Sequence, residues 1–408
     1  MKIGWVLLVL ACTLVLHGEV ADASQTIRSA SKLAFADART LFVADWKGAR
    51  IYAFTVPVPQ APLSKPFNLK DVQEPIARAL RVSRSALEFD DMAVQPGSEL
   101  AYIAVSVQSG RSAARPAIVT VDALGRVRVL QLASLAATSV AISDEPSPDL
   151  HFWRTIPAQS LTITDMKFYR GKLYVAGLSD RTFASTLRIY DFPFDGAEHA
   201  TTVQMYHPVH NQIETRAPIR AMAIMRLNGE PTLVAAYTCT PLVTIPLSEL
   251  KDGAHISGRT IAELGWGNRP IDMVTFNYGG TDYALIANSS RAGDLLTVSA
   301  IARGADLPGI TTPIKWPAEP YKGVRAVMVP LSAVDWIDNL NKDLLLALRR
   351  DAASGKMGLV TIPKGVYLRL SDFVNEYDFP DYQYPPTDPF HAFHKIARRL
   401  EGYPELVR

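Results

Sequence analysis

Cysteine is almost missing from this chain: among 408 residues only Cys12 and Cys239 carry a thiol. A disulfide framework is therefore excluded, and the fold has to stand on an apolar core. An excess of one charge is missing as well, with 42 Lys and Arg against 40 Asp and Glu. Neither the basic footprint of a nucleic-acid binder nor an acidic tail is present. Beyond residue 16 no apolar run approaches the ~20 residues that a bilayer span requires, so no membrane span is expected. Helical periodicity is scarce until the C-terminus, which argues against helical bundles and alternating α/β folds. The chain also lacks Gly-x-Ser-x-Gly, a Walker-type loop and Cys-x-x-Cys-His, which weakens serine-hydrolase, nucleotide-binding and covalent-haem readings.

What is present begins with an export signal. Lys2 precedes an apolar run from Ile3 to Leu16, broken by Gly4 and Thr13, and Ala21-Asp22-Ala23 places small residues at −3 and −1. Residues 1–23 read as a cleavable signal peptide, with Ser24 the mature N-terminus and a periplasmic or secreted destination. A lipoprotein site at Cys12 is the weaker alternative, because the residues after it stay apolar. Cleavage leaves Cys239 alone, read here as a buried structural thiol. About 385 residues remain, enough to bury most of their apolar surface without staples.

From residue 30 onward, short strand-like runs alternate with Gly-, Pro- and Asp-rich turns. Six runs of small and β-branched residues recur: Leu41–Asp45, Ala101–Val105, Leu173–Gly177, Leu233–Tyr237, Ala284–Asn288 and Leu344–Leu348. Their starts lie 60, 72, 60, 51 and 60 residues apart. Five are preceded by a matching segment: Phe89–Met92, Ile163–Met166, Ile219–Met222, Ile271–Met273 and Val324–Val327. Each is followed by a further strand, such as Arg50–Phe54, Leu187–Tyr190 or Leu359–Ile362. Strands repeating at this period without intervening helices indicate radial repetition. The expectation is an all-β fold, a single β-propeller of six or seven blades over residues 24–370, the seventh depending on whether residues 122–162 form a blade or a loop. Stacked β-sandwiches are the alternative.

The segment 371–408 departs from the repeats. Residues 373–408 carry eight Phe or Tyr, and Asp388-Pro389 supplies an N-cap and first-turn proline for a short helix with Phe390, Phe393, Ala397 and Leu400 on one face. Aromatic density of this kind marks a recognition surface or a cover for the propeller.

In Leu41-Phe-Val-Ala-Asp45 with Arg50-Ile-Tyr52, and in Lys172-Leu-Tyr-Val-Ala176 with Leu187-Arg-Ile-Tyr190, the chain resembles the secreted propellers of the quinoprotein amine dehydrogenase-like superfamily. The resemblance covers residues 30 to about 368 and is architectural. It implies a propeller, and among such families some members carry a redox cofactor or hydrolyse lactones while others bind or scaffold.

The matching segments are the expected innermost strands. At equivalent positions stand Asp91, Asp165 and Asp272, with Arg220 and Arg325 one position earlier in two other units and Arg269 just upstream of a third. These six are the candidate ligand-binding residues at the channel mouth. Adjacent strand positions face opposite ways, so Asp and Arg sets cannot both face the axis of regular strands. The competing reading is that these groups pin neighbouring blades through backbone amides. His207, His210 and Glu214, in the most polar loop of the chain, offer two imidazoles and a carboxylate to a transition metal. Glu88, Asp90 and Asp91 with Asn268, Asp272 and Asn288 offer hard oxygens to calcium. A bound calcium or transition-metal ion is therefore the expected cofactor, if there is one. These observations imply an exported binding or accessory propeller, holding a small ligand or a periplasmic protein partner at its funnel mouth. A metal-assisted hydrolase or lactonase, or a redox-system subunit, is the alternative.

Overall fold

The computed structural model describes residues 27–368, apart from 60–64, 111, 266–268, 290–291, 316–317 and 352, together with a few positions between 379 and 387. The expected signal segment, Asn268 and the tail helix lie outside the described residues. Within them the chain forms a six-bladed β-propeller.

Every blade is an antiparallel meander, and the six small-residue runs are all second strands. Blade 1 consists of Lys32–Phe35, Thr40–Asp45, Arg50–Thr55 and Ala137–Ala141. Blade 2 follows with Leu87–Gln95, Leu100–Ser109, Ser112–Val121 and Val127–Val129. Blade 3 is built from Asp165–Tyr169, Lys172–Leu178, Ser185–Asp191 and His199–His207. Blade 4 has Ile219–Leu227, Glu230–Tyr237, Pro241–Pro246 and Arg259–Glu263, and blade 5 has Pro270–Tyr278, Thr281–Asn288, Gly293–Thr297 and Val327–Val329. Val334–Asn339, Leu344–Arg350, Met357–Pro363 and Asn68–Leu69 make blade 6.

The second strands are apolar on both faces because each blade is sandwiched between two others. Ala44, Ala104, Ala176, Ala236, Ala287 and Ala347 are completely buried there, and their small side chains let the sheets approach. The core consists of six apolar clusters, each the interface between two adjacent blades.

Those clusters and the contacts between innermost strands fix the order of blades around the axis as 1, 2, 6, 5, 4, 3 and back to 1. Chain order and ring order therefore differ. After three strands of blade 1 the chain crosses to add Asn68–Leu69 to the outer edge of blade 6, where Leu69 pairs with Leu359. Helix α1 (Gln73–Leu80), with Ile76 fully buried, leads from there into blade 2. Ala137–Ala141 then returns to pair with Arg50–Phe54 and complete blade 1. Residues 122–162 thus hold the outermost strands of blades 2 and 1 and one small hairpin, His151–Phe152 with Ile156–Pro157, not a seventh blade. Two blades, 1 and 6, are closed by strands from elsewhere in the chain, and blade 2 lies between them.

Blade 5 departs from the simple repeat. Between its third strand and its outermost one the chain inserts α2 (Val298–Asp306), capped by the Thr297 hydroxyl. Val324–Val327, expected as an innermost strand, instead leads into the outermost strand of blade 5. The innermost strand of blade 6 is Val334–Asn339.

Blade 3 carries a buried ionic device. Arg188 is fully buried, and its guanidinium donates to Asp144 Oδ1 at 2.6 Å, Thr162 O at 3.0 Å and Leu178 O at 2.9 Å. Nearby, Gly177 is dictated by close approach: a Cβ there would lie 1.9 Å from Thr162 O.

Candidate functional site

In a meander the innermost strand starts on the face where the second strand and the outermost strand end. Strand starts, second-to-third turns and outer-strand ends therefore all gather on one face, the channel mouth. The innermost strands of five blades line an axial cavity of about 420 Å³ that runs from the level of Lys32, Asp91, Asp165 and Asp272 to Pro96, Gly97 and Leu340, beyond the strand ends on the opposite face. Its wall carries Asp91, Asp165, Asp272 and Asp338 together with Lys32 and Lys167.

Each carboxylate reaches the next blade in the same rotational sense. Asp165 accepts from Met222 N at 2.7 Å, linking blade 3 to blade 4. Asp272 accepts from Ile337 N at 3.0 Å, blade 5 to blade 6, and Asp338 from Val94 N at 2.8 Å, blade 6 to blade 2. Asp91 accepts from Leu33 N at 2.6 Å, blade 2 to blade 1. The two remaining junctions start from blades 4 and 1, where the positions paired with Ala236 and Ala44 are Ala221 and Lys32. The amide-pinning reading of the Asp set is thus realised at four junctions, and these residues also line the cavity.

Lys32 Nζ lies 3.0 Å from Asp91 and Lys167 Nζ 3.1 Å from Asp165. Asp272 and Asp338 have no ion pair of their own among the described residues. Burial pushes Asp91 up to about 6 despite Lys32, and Asp272 adds repulsion. Burial likewise raises Asp338 to about 6 against two backbone N–H donors. Asp272 is raised by burial first, and by Asp165. Burial alone would lower Lys167, but Asp165 and Asp272 hold its pKa above the ordinary lysine value. The carboxylates face one another across the axis, and two ammonium groups offset only part of their charge.

The arginines do not join this ring. In blade 4 the register slips between Ile219 and Ala221, so Arg220 is the extra residue of a bulge, as Asp90 is in blade 2. The bulges remove the simple alternation on which the Asp–Arg conflict rested. Arg220 is partly buried, and burial lowers its pKa while Asp165 partly restores it. Arg269 is exposed just before the innermost strand of blade 5. Arg325 corrects the sequence alignment: it lies beside the outermost strand of blade 5, in the wall of a separate cavity of about 360 Å³ with Glu263, Asp294 and Tyr321. Asp338, which the repeat alignment missed, completes the ring. It follows Ile337, which pairs with Ala347, whereas in blades 2, 3 and 5 the Asp itself pairs with the corresponding alanine.

Of the calcium set, Asp91 and Asp272 share the ring, whereas Asn288 is turned to Asp294 Oδ2 at 2.9 Å and Ala292 O. Asp90 accepts from the Ser106 hydroxyl at 2.8 Å, and burial raises it to about 7.

The second cluster sits on the channel-mouth face between blades 3 and 4. His207 ends the outermost strand of blade 3, and Gln212–Glu214 folds back against it. Glu214 Oε1 accepts from His207 Nδ1 at 2.8 Å and from His210 Nδ1 at 2.6 Å. Burial alone would raise Glu214, but the two imidazoles hold it down at about 2. Cys239, in the turn between the second and third strands of blade 4, comes close: one ligating atom each from His207, His210 and Cys239 all lie within 4.8 Å of one another. Burial raises the thiol pKa; the Thr240 hydroxyl lowers it, Glu263 and Glu214 raise it, and Arg269 lowers it. His207, His210 and Glu214, grouped in the sequence, are in contact, but the sequence grouping left Cys239 out, because it lies 29 residues beyond His210 on another blade.

No family model matches the chain, and no curated protein matches it in sequence. Among solved structures, a chain of the "Crystal Structure of Mitotic Checkpoint Complex" is similar with TM-score 0.34 and 7% identity, over 89% of this chain and 99% of that one. A chain of "Kuenenia stuttgartiensis Hydrazine Synthase" is similar with TM-score 0.34 and 10% identity, over 83% and 97%. Among the described residues no helix is long and apolar enough to cross a membrane.

Proposed function

We propose that this chain is an exported binding or accessory propeller that holds a small, positively charged ligand in the axial channel. The observation that supports this most is the axial cavity of about 420 Å³ ringed by Asp91, Asp165, Asp272 and Asp338. Four carboxylates against Lys32 and Lys167 leave an excess of negative charge in a low-dielectric enclosure, where a cation relieves mutual repulsion. The volume suits a small ligand or a hydrated ion. Four inner strands hold the carboxylates in place, and each carboxylate is fixed by a backbone donor, so the ring is organised before a ligand arrives. Calcium, a hard cation that takes carboxylate oxygens, is the simplest probe.

Periplasmic export rests on the N-terminal pattern, and membership of the quinoprotein-like propellers on the strand pattern. A partner protein bound through the aromatic tail remains part of the same accessory reading. The alternative of a metal-assisted enzyme draws on one specific observation, the His207–His210–Cys239 grouping. Elemental analysis of protein purified from its native compartment separates the two. One equivalent of calcium, lost on Asp272→Asn substitution, supports axial binding. A preparation that holds no calcium and gains none from millimolar solution contradicts it.

A further inference from the structure

We infer that His207, His210 and Cys239 form a binding site for one thiophilic d10 metal ion, Zn²⁺ or Cu⁺, at the mouth-side junction of blades 3 and 4. The inference stands on a different cluster from the axial ring and survives or fails independently of it.

Two imidazoles and a thiol are ligands that borderline and soft ions accept, whereas calcium and magnesium do not favour them. The three ligating atoms already lie within 4.8 Å of one another. Bond lengths of about 2.0–2.3 Å to nitrogen and sulfur bring such atoms to roughly 3.3–3.7 Å apart. Closing that gap takes small side-chain rotations at His210 and Cys239, neither of which is fully buried.

The surroundings prepare the ligands. Glu214 Oε1 accepts from Nδ1 of both rings, which places the proton on Nδ1 and makes Nε2 the ligating nitrogen; at His207 that lone pair accepts from the Thr240 hydroxyl, a contact the ion displaces. A carboxylate behind a ligating histidine fixes tautomer and orientation and raises ligand basicity. Glu214 is therefore a positioning residue and not a third ligand. The His207 ring is fully buried, with its Nε2 3.2 Å from the Thr240 hydroxyl, next in sequence to Cys239. Cys239 has φ of +80°, a backbone conformation costly for a residue with a Cβ, and strain of this kind gathers at functional positions. His210 is about half exposed, so an ion reaches the cluster from solvent and a fourth coordination position stays exchangeable. Three protein ligands with one open position make a site that delivers or uses a metal as readily as it stores one.

The test uses the full-length purified chain, reduced and stripped with chelator. Titration with Co²⁺ is expected to give a thiolate-to-cobalt charge-transfer band that saturates at one equivalent. Zn²⁺ displaces it, and anaerobic competition with a Cu⁺ chelator shows whether Cu⁺ binds more tightly. Cys239→Ser abolishes the charge-transfer band, and His210→Ala, at an exposed position, weakens binding while the circular dichroism spectrum stays native. Glu214→Gln keeps the band but lowers affinity roughly 10–100-fold, while calcium binding at the axis is unchanged. Asp272→Asn leaves the band intact. The inference is overturned if natively folded protein gives no saturable one-equivalent band, or if the band survives Cys239→Ser.

Discussion

At the scale of single residues, the structure separates groups that the sequence listed side by side. Asp91 and Asp272 were visible because they precede Met in matched segments. Asp338 was not, because Trp336 and Ile337 hide it behind a different local pattern and a one-residue shift of register. Arg188 and Asp144 gave no signal at all: a buried guanidinium is recognisable only once the strand around it is known to be covered on both faces. Removing one partner of a buried pair leaves the other charge uncompensated, at a cost of about 3–5 kcal/mol. Arg188→Ala should therefore lower the unfolding free energy from a urea titration by that amount, and a loss below about 1 kcal/mol would mean that water replaces the contact. Proton linkage gives a second residue-scale expectation. Asp90, Asp91 and Asp338 have raised pKa values of about 7, 6 and 6 in the folded state. The folded chain then binds more protons than the unfolded chain between roughly pH 4 and 7, so stability rises as pH falls through that window. Below it the depressed carboxylates Glu214 and Asp71 act in the opposite sense. The melting temperature should increase from pH 8 to pH 5 and fall again below pH 4, and Asp90→Asn should flatten the upper part of the curve.

At the scale of elements, all six second strands were legible, since a strand buried on both faces must be continuously apolar and small. Outer strands such as Arg50–Thr55 and Leu187–Tyr190 followed by alternation. The innermost strand of blade 6 was misplaced because Val324–Val327, leading into the outermost strand of blade 5, imitates the Ile-Arg-Ala-Met pattern of blade 4. The insertion of α2 displaced the true strand beyond the expected spacing. Gly177 tests the account of blade 3 directly. Its missing Cβ lets the Thr162 carbonyl pack against the second strand, so Gly177→Ala forces backbone displacement and should cost about 1–3 kcal/mol in a denaturant titration. A neutral result would show that the Thr162 turn yields freely.

At the scale of the whole molecule, periodicity counts blades but does not order them. Repeat spacing is the same whether blade 3 or blade 6 lies next to blade 2 around the ring, so the crossing through Asn68–Leu69 and the return through Ala137–Ala141 could not be read from it. Each of the six blades has its outermost strand within the described residues up to Leu368, so the propeller is expected to close without the tail. Truncation after Arg369 should therefore keep a single cooperative melt at an unchanged melting temperature, while capture of a partner through the aromatic segment is lost. Insoluble or non-cooperative protein would place that segment in the fold. The central claim, a cation-binding channel built from the blade-latching carboxylates, is tested most directly by calorimetric titration of calcium into the chelator-stripped chain and its Asp272→Asn variant. The account predicts one-site binding that weakens at least tenfold in the variant with the melt preserved, and equal heats in both proteins, or none in either, would contradict it.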